Sequence, residues 1–177
     1  MKDNQLSWKI VTIICVLMLT ASLTFSPFAV GGQEQNIEAK VYNSVSESVP
    51  TNTQYFLSFD TELYDTCNIH NPDDNTKLTA PVDGIYDIKG NVRFDSDTNG
   101  FRVVAIWWQG WLHIAAESAQ MRSPDGNYYV SISTDYPLRA GEYVNLEVYQ
   151  TSGHNLDIVK NGNWSPSFSM HKIGDLP

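Results

Sequence analysis

The chain has 177 residues, of which 42% are hydrophobic and 12% aromatic, a composition typical of a globular domain with its own core and not of a disordered chain. Its formal net charge of −9 excludes the basic surface that nucleic-acid-binding proteins need. The sequence therefore predicts one acidic folded domain that has no nucleic acid among its partners.

The first 31 residues have the order of a secretory signal peptide. A charged polar start is followed by an almost unbroken apolar run over residues 10–23, and small residues then lead to Ala29 and Gly31, where cleavage fits. A retained signal anchor is the alternative, because residues 10–30 reach the ~20 residues that span a bilayer. Both interpretations predict export, so the domain is secreted or at the cell surface and touches the membrane only through an uncleaved anchor.

The rest of the chain is predicted to be all-β. Residues 32–38 are polar and form a short linker, and residues 39–177 consist of short segments separated by turn residues, with no helical periodicity and no internal repeat. We predict a two-sheet antiparallel sandwich of about ten strands. The clearest strands are predicted at 39–45, 53–59, 84–94, 101–108, 111–117, 127–133, 143–149 and 165–173.

The most regular of these strands follows the turn between Pro81 and Gly84. Its side chains alternate between apolar and polar, which indicates one buried face and one face in water. The turn glycine is expected to need a backbone conformation that valine cannot adopt. The predicted buried set is Tyr86, Ile88, Val92 and Phe94, and the predicted wet set is Asp87, Lys89, Asn91 and Arg93.

Four motifs follow one another along these strands. They are Phe59-Asp60-Thr61-Glu62 with Asp65 and His70, Leu78-x-Ala80-Pro81-x-x-Gly84-x-Tyr86, Leu138-x-Ala140-Gly141-Glu142-x-Val144-x-Leu146, and Ser167-Phe168-Ser169-Met170. Their order resembles the jelly-roll domain shared by the complement C1q globular head and the tumour-necrosis-factor (TNF) ligands, and is most similar to the bacterial and phage C1q-like type. Leu78 and Ile88 depart from it, because eukaryotic members usually have phenylalanine there.

The resemblance implies a ten-strand jelly roll that assembles as a homotrimer. Tyr129, Tyr143 and Tyr149 lie opposite the inward-facing residues of their strands, and together with Trp108 they are the predicted subunit contact. Both alternation classes are apolar in residues 101–108, which fits a strand covered on both sides. We predict a recognition or structural module that binds a protein or glycan partner by avidity.

Two other functions remain open. Trp107, Trp108 and Trp111 flank the Gln109-Gly110 hairpin turn, and their rings are suited to stacking on sugars, which favours a monomeric carbohydrate-binding module. The acidic loop over residues 60–76 offers carboxylates for a hydrolase, although nothing in the sequence selects a catalytic pair. No nucleophile motif and no zinc spacing of the histidines occurs, so the chain is predicted not to be an enzyme.

Calcium is the one cofactor that the sequence suggests. Asp95, Asp97 and Asn99 match the first half of a helix–loop–helix calcium loop, but Ile106 stands where the bidentate glutamate should be. A turn without a metal is the alternative, because Asp, Asn and Gly are favoured turn residues. Cys67 is the only cysteine that remains after removal of the first 31 residues, so it cannot form a disulfide within the domain and is predicted to be a free thiol.

Overall fold

Alternating apolar and polar segments form the strands of a two-layer sandwich. A computed structural model describes residues 36–121 and 128–177. Twelve strands and one 3-10 turn, Pro72–Asp74, occur in these residues. The strands are β1 (Glu38–Tyr42), β2 (Glu47–Val49), β3 (Tyr55–Phe56), β4 (Thr61–Asp65), β5 (Lys77–Thr79), β6 (Gly84–Phe94), β7 (Phe101–Trp108), β8 (Leu112–Gln120), β9 (Tyr128–Leu138), β10 (Tyr143–Gln150), β11 (Leu156–Ile158) and β12 (Ser167–Gly174).

All strand pairs are antiparallel, and they form two sheets. Sheet A has the order β4-β1-β12-β6-β9, and β11 with β2 continues it beside the end of β6. Sheet B has the order β8-β7-β10, and both β3 and β5 pair with the remaining edge of β10. The consecutive strands β9 and β10 therefore belong to different sheets. This topology confirms the predicted antiparallel jelly roll.

The core lies between the two sheets and confirms the predicted alternation of β6. Its four predicted inward residues are fully buried, and they face a second buried row on β10. Each large apolar side chain buried in this way contributes roughly 1.5–3 kcal/mol. Gly90 allows the sheets to approach closely, because a Cβ there would lie 2.5 Å from Leu146 Cδ1. The β10 row is Val144, Leu146 and Val148.

Four strands were not predicted from the sequence. β4 lies inside the segment predicted to be an acidic loop, and the short strands β2, β5 and β11 were not expected. β4 is the edge strand of sheet A and none of its residues is buried, so its sequence carries no alternation to detect. The strand predicted at 53–59 is shorter, since only Tyr55–Phe56 pair with β10, although Leu57 and Phe59 are buried as expected.

The predicted signal peptide or anchor at residues 1–31 lies outside the described residues, as does most of the linker. Within residues 36–121 and 128–177, no helix is long and apolar enough to cross a bilayer.

Candidate ligand groove and aromatic surfaces

A groove of about 550 Å³ opens at the end of the sandwich where β7 and β9 end. Two half-buried aromatic rings form its walls, with the centroids of Trp108 and Tyr136 6.3 Å apart. Trp111 extends this wall outward, with its ring 5.1 Å from that of Trp108 and 63% of its surface exposed. The residues that line the groove are Trp108, Tyr136, Pro137, Arg139, Glu142, Leu176 and Pro177.

The β7–β8 hairpin fixes the positions of Trp108 in the groove and of Trp111 beside it. Gln109 and Gly110 both have positive φ, +53° and +71°, the backbone of a two-residue type I′ turn that suits the twist of paired strands. Tyr143 ties this turn to β10 twice, because its carbonyl accepts from Gln109 N at 3.0 Å and its hydroxyl donates to Gln109 O at 3.0 Å. The turn is therefore held in one orientation by a neighbouring strand.

Arg139 and Glu142 supply the polar rim of the groove. The carboxylate of Glu142 accepts from Arg139 N at 2.8 Å, and the carbonyl of Arg139 accepts from Glu142 N at 2.9 Å, so the turn between β9 and β10 is closed on itself. Asp83 accepts from Ala140 N at 2.8 Å and secures the same turn. Among the described residues, the guanidinium of Arg139 has no hydrogen-bond or ion-pair partner. One free cation and one anchored carboxylate therefore border the aromatic walls.

The structure separates the three hairpin tryptophans that were grouped as a sugar-binding surface. Trp107 points away from the groove, to the outer face of sheet B, because it alternates with Trp108 along β7. Its indole donates to Glu147 and packs edge-on against Phe56 and His113. Of the three, only Trp108 lines the groove, and Trp111 packs against its ring from the outside, so the three rings do not form a single platform.

The four predicted subunit-contact residues also do not form one patch. Tyr129 lies on the outer face of sheet A, whereas Tyr143 and Tyr149 lie on the outer face of sheet B, and Trp108 lines the groove. Lys77 Nζ sits 4.4 Å from the ring centre of Tyr143, and the hydroxyl of Tyr149 donates to Asn52 Oδ1 at 3.5 Å. The two sheet B tyrosines are thus engaged within the chain.

Tyr129 belongs to a surface cluster that the sequence did not reveal, named here the Tyr129 patch and made of Tyr129, Trp164 and Arg93. The rings of Tyr129 and Trp164 stack 5.5 Å apart at 25°, and 48% and 42% of these residues are exposed. The Arg93 guanidinium lies 5.6 Å from the Tyr129 ring centre. Two large stacked aromatic residues are thus left in water beside a cation. The alternation placed Arg93 and Tyr129 outward, but only the β6–β9 register pairs them.

The predicted calcium ligands lie in the turn before β7, where Asp97 is engaged by protein groups. Its carboxylate faces Arg102 Nη2 at 3.6 Å and His154 Nε2 at 3.1 Å, and it accepts from Asn99 N at 2.6 Å. Asp95 is exposed and accepts from the adjacent Ser96 N. Within the described ranges, no cluster of three or more His, Cys, Asp or Glu is placed to hold a metal ion. Calcium binding stays a prediction, and this geometry gives Asp97 a structural role.

Arg102 is fully buried beneath this turn, and its side chain hydrogen-bonds to the turn's backbone. Its guanidinium donates to the carbonyls of Asn99 at 2.9 Å and Phe101 at 3.0 Å. Burial lowers the pKa of Arg102, and the nearby Asp97 carboxylate opposes that shift. Alternation along β7 places Arg102 in the inward class with Val104, which was a usable signal for a buried cation.

The carboxylates of the predicted acidic loop are bound separately and do not converge on a cleft. Asp60 accepts from Ser44, and Asp65 accepts from the backbone N–H groups of residues 67, 69 and 70. Glu62 contacts His70 Nδ1 at 2.9 Å, and Asp74 pairs with Lys77 at 2.6 Å. These contacts hold the loop together and give the hydrolase hypothesis no support. Cys67 in the same loop is a half-buried free cysteine.

The two sheets and their strand order form a C1q/TNF-like jelly-roll fold. Comparison with solved structures shows the same fold. The Eiger TNF of S. frugiperda superimposes with a TM-score of 0.61 at 13% identity, covering 81% of this chain and 96% of that one. Murine APRIL gives 0.58 at 11% identity, covering 78% and 99%, and the globular domain of zebrafish complement 1qA gives 0.54 at 14%, covering 78% and 98%.

No protein-family model matches the chain, and no curated protein matches it either. At 11–14% identity the structural likeness establishes the fold alone, so function must be argued from the residues.

Proposed function

We propose that this protein is an exported, non-enzymatic recognition module that assembles as a homotrimer and binds its partner by avidity. Three copies of a weak site on one rigid assembly hold a multivalent partner far more tightly than one copy does, without any new contact. The resemblance of the strand motifs and the jelly-roll fold support this function.

The observation that carries the trimer is the Tyr129 patch. Exposed aromatic residues that stack on each other are costly to leave in water and are enriched where subunits meet. Tyr129 and Trp164 already hold each other in a fixed geometry, so a neighbouring subunit can cover them with little loss of side-chain entropy. Covering the pair would remove the largest exposed aromatic stack described on sheet A from water.

The rest of the same sheet face is suited to a specific contact. Ser131 Oγ donates to Asn91 Oδ1 at 2.6 Å, and both residues lie next to the patch on β9 and β6. Polar groups around an aromatic centre provide the rim that fixes the orientation of two subunits. We therefore assign the subunit contact to the outer face of sheet A, and Tyr143 and Tyr149 have no part in it.

Light scattering of the exported protein tests the proposal. We expect the parent to have the mass of three chains and Tyr129→Ser to shift it toward one chain. Phe101→Ser is the matched control, because Phe101 is 50% exposed on the outer face of sheet B, and this variant should remain trimeric. A parent that is monomeric throughout the micromolar range contradicts the avidity mechanism.

A further inference from the structure

We propose that the end groove binds a neutral pyranose sugar within an oligosaccharide. This inference deepens the proposed recognition function by naming its ligand, but the site is complete within one chain and does not depend on the trimer. It replaces the three-tryptophan surface expected from the sequence with a site built from β7, β9 and the turn between β9 and β10.

The aromatic walls match one side of a sugar ring. A pyranose presents an apolar face of C–H groups and a rim of hydroxyls, and ligand sites are typically apolar walls with a few placed polar groups. The ring of Trp108 makes angles of 58° with that of Trp111 and 49° with that of Tyr136. A ligand in the groove thus meets aromatic surface from more than one direction.

The polar rim matches the hydroxyls of an uncharged ligand. Arg139 brings a guanidinium with up to five N–H donors, and Glu142 keeps acceptor capacity beyond the one bond to Arg139 N. The charged side chains that line the groove are one cation, Arg139, and one anion, Glu142, so the side chains of the lining balance in charge. A charged ligand would be repelled by whichever of these two side chains has the same sign of charge. A neutral polyhydroxyl compound can use both side chains as hydrogen-bond partners.

The groove is preorganised, which favours a small ligand. The hairpin turn that carries Trp108 and Trp111 is bonded twice to Tyr143, and the Arg139–Glu142 turn is closed by its own hydrogen bonds. Little ordering entropy is therefore lost when a ligand enters. The exposed Trp111 ring leads away from the groove and gives a second sugar unit a surface to stack on.

The test is a titration of the exported protein with neutral monovalent trisaccharides of glucose, galactose, mannose and N-acetylglucosamine, followed by tryptophan fluorescence and calorimetry. We expect saturable binding of at least one of them. Trp111→Ala and Arg139→Ala should each weaken it by about tenfold or more, a loss of roughly 1.4 kcal/mol. Both residues lie at the surface of turns, so these variants are expected to fold.

Two controls separate this proposal from the proposed trimer. Tyr129→Ser should lose the trimer and keep the affinity for a monovalent trisaccharide, whereas Trp111→Ala should keep the trimer and lose that affinity. The inference is overturned if no neutral trisaccharide binds, or if Trp111→Ala binds as well as the parent. It is also overturned if the neutral trisaccharides do not bind but a uronate-containing trisaccharide or a proline-rich peptide does, and Trp111→Ala weakens that binding. Such a result would assign the groove to the other ligand.

Discussion

Removal of the Asp97 carboxylate tests whether the turn before β7 is held by a structural ion pair with Arg102 or is a calcium loop. In Asp97→Ala the buried guanidinium of Arg102 loses the only anionic group near it among the described residues. We expect a large loss of stability, because a buried charge without its partner is costly.

The structure sets the size of this loss. At the 3.6 Å separation of Arg102 Nη2 and Asp97 Oδ1, two unit charges attract by roughly 5 kcal/mol if the effective dielectric constant is about 20. Arg102 keeps its bonds to the carbonyls of Asn99 and Phe101, so part of that charge remains compensated. We therefore expect Asp97→Ala to lower the free energy of unfolding by about 3 kcal/mol.

Chemical denaturation with and without calcium is the assay, and Asp95→Ala is the matched control. Within the described part of the chain, the Asp95 carboxylate accepts from the adjacent Ser96 N alone and is exposed, so its loss should cost less than about 1 kcal/mol. If Asp97 acts through the structural ion pair, Asp97→Ala should lower the free energy of unfolding by the same amount in calcium and in EDTA. In the Arg102→Met background the cost should largely disappear, since the buried charge is gone.

Three results would refute this reasoning. The ion-pair hypothesis is wrong if the free energy of unfolding of Asp97→Ala lies within about 1 kcal/mol of the parent's. It is equally wrong if Asp95→Ala lowers that free energy as much as Asp97→Ala does. It is also wrong if calcium stabilises the parent and both substitutions abolish that stabilisation, which would restore the calcium loop predicted from the sequence.

Two further changes test other parts of the fold. Gly84→Val should lower the free energy of unfolding by about 2–3 kcal/mol in a denaturant titration, because a Cβ there would lie 2.9 Å from Gly174 O and in contact with Lys172. Gly174→Ala is the control and should be neutral, because a Cβ at that position meets nothing within 4 Å. Equal stability of the two variants would contradict this packing. Burial, reinforced by Glu47, raises the pKa of Tyr55 from 10 to about 12. The neutral hydroxyl therefore contributes stability that is fully present below pH 10 and is lost as the pH rises through 12. The parent should lose about 1–2 kcal/mol more than Tyr55→Phe over that window, and parallel pH curves for the two proteins would show that Tyr55 is not linked to folding.

The expected backbone strain at Gly84 is wrong in its cause. Gly84 is not among the glycines with positive φ, so valine is not excluded by its backbone conformation. The constraint is space, since β6 begins against the end of β12. A sequence shows that a glycine follows a turn, but it does not show which distant strand lies over it.

The prediction from the sequence was most accurate for a strand with one buried face and one exposed face. β6 alternates cleanly because one side is in the core and the other in water, and the inward set Tyr86, Ile88, Val92 and Phe94 followed directly. β4 was missed because no residue of this edge strand is buried, so its sequence has no alternation between apolar and polar residues. β2, β5 and β11 were missed for another reason: each has only three residues, too few to establish a period of two.

The candidate site was predicted less well because it depends on which strands share a sheet. Period-two alternation could have separated Trp107 from Trp108, but the prediction grouped them by closeness in the chain. Tyr129 and Tyr143 were correctly expected to face outward, yet they lie on opposite sides of the molecule because β9 and β10 join different sheets. Trp164 lies in a loop, where no periodicity indicates its direction.

The pairing of β1 with β12 has a consequence for how the protein is made. The first and last described strands lie side by side inside sheet A, with Glu38 opposite His171, and β12 also pairs with β6. Because β12 lies between β1 and β6, sheet A is incomplete until β12 has been synthesised and has taken its place in the sheet. Sheet A therefore depends on a pairing between strands at opposite ends of the described residues, and such non-local pairing slows folding.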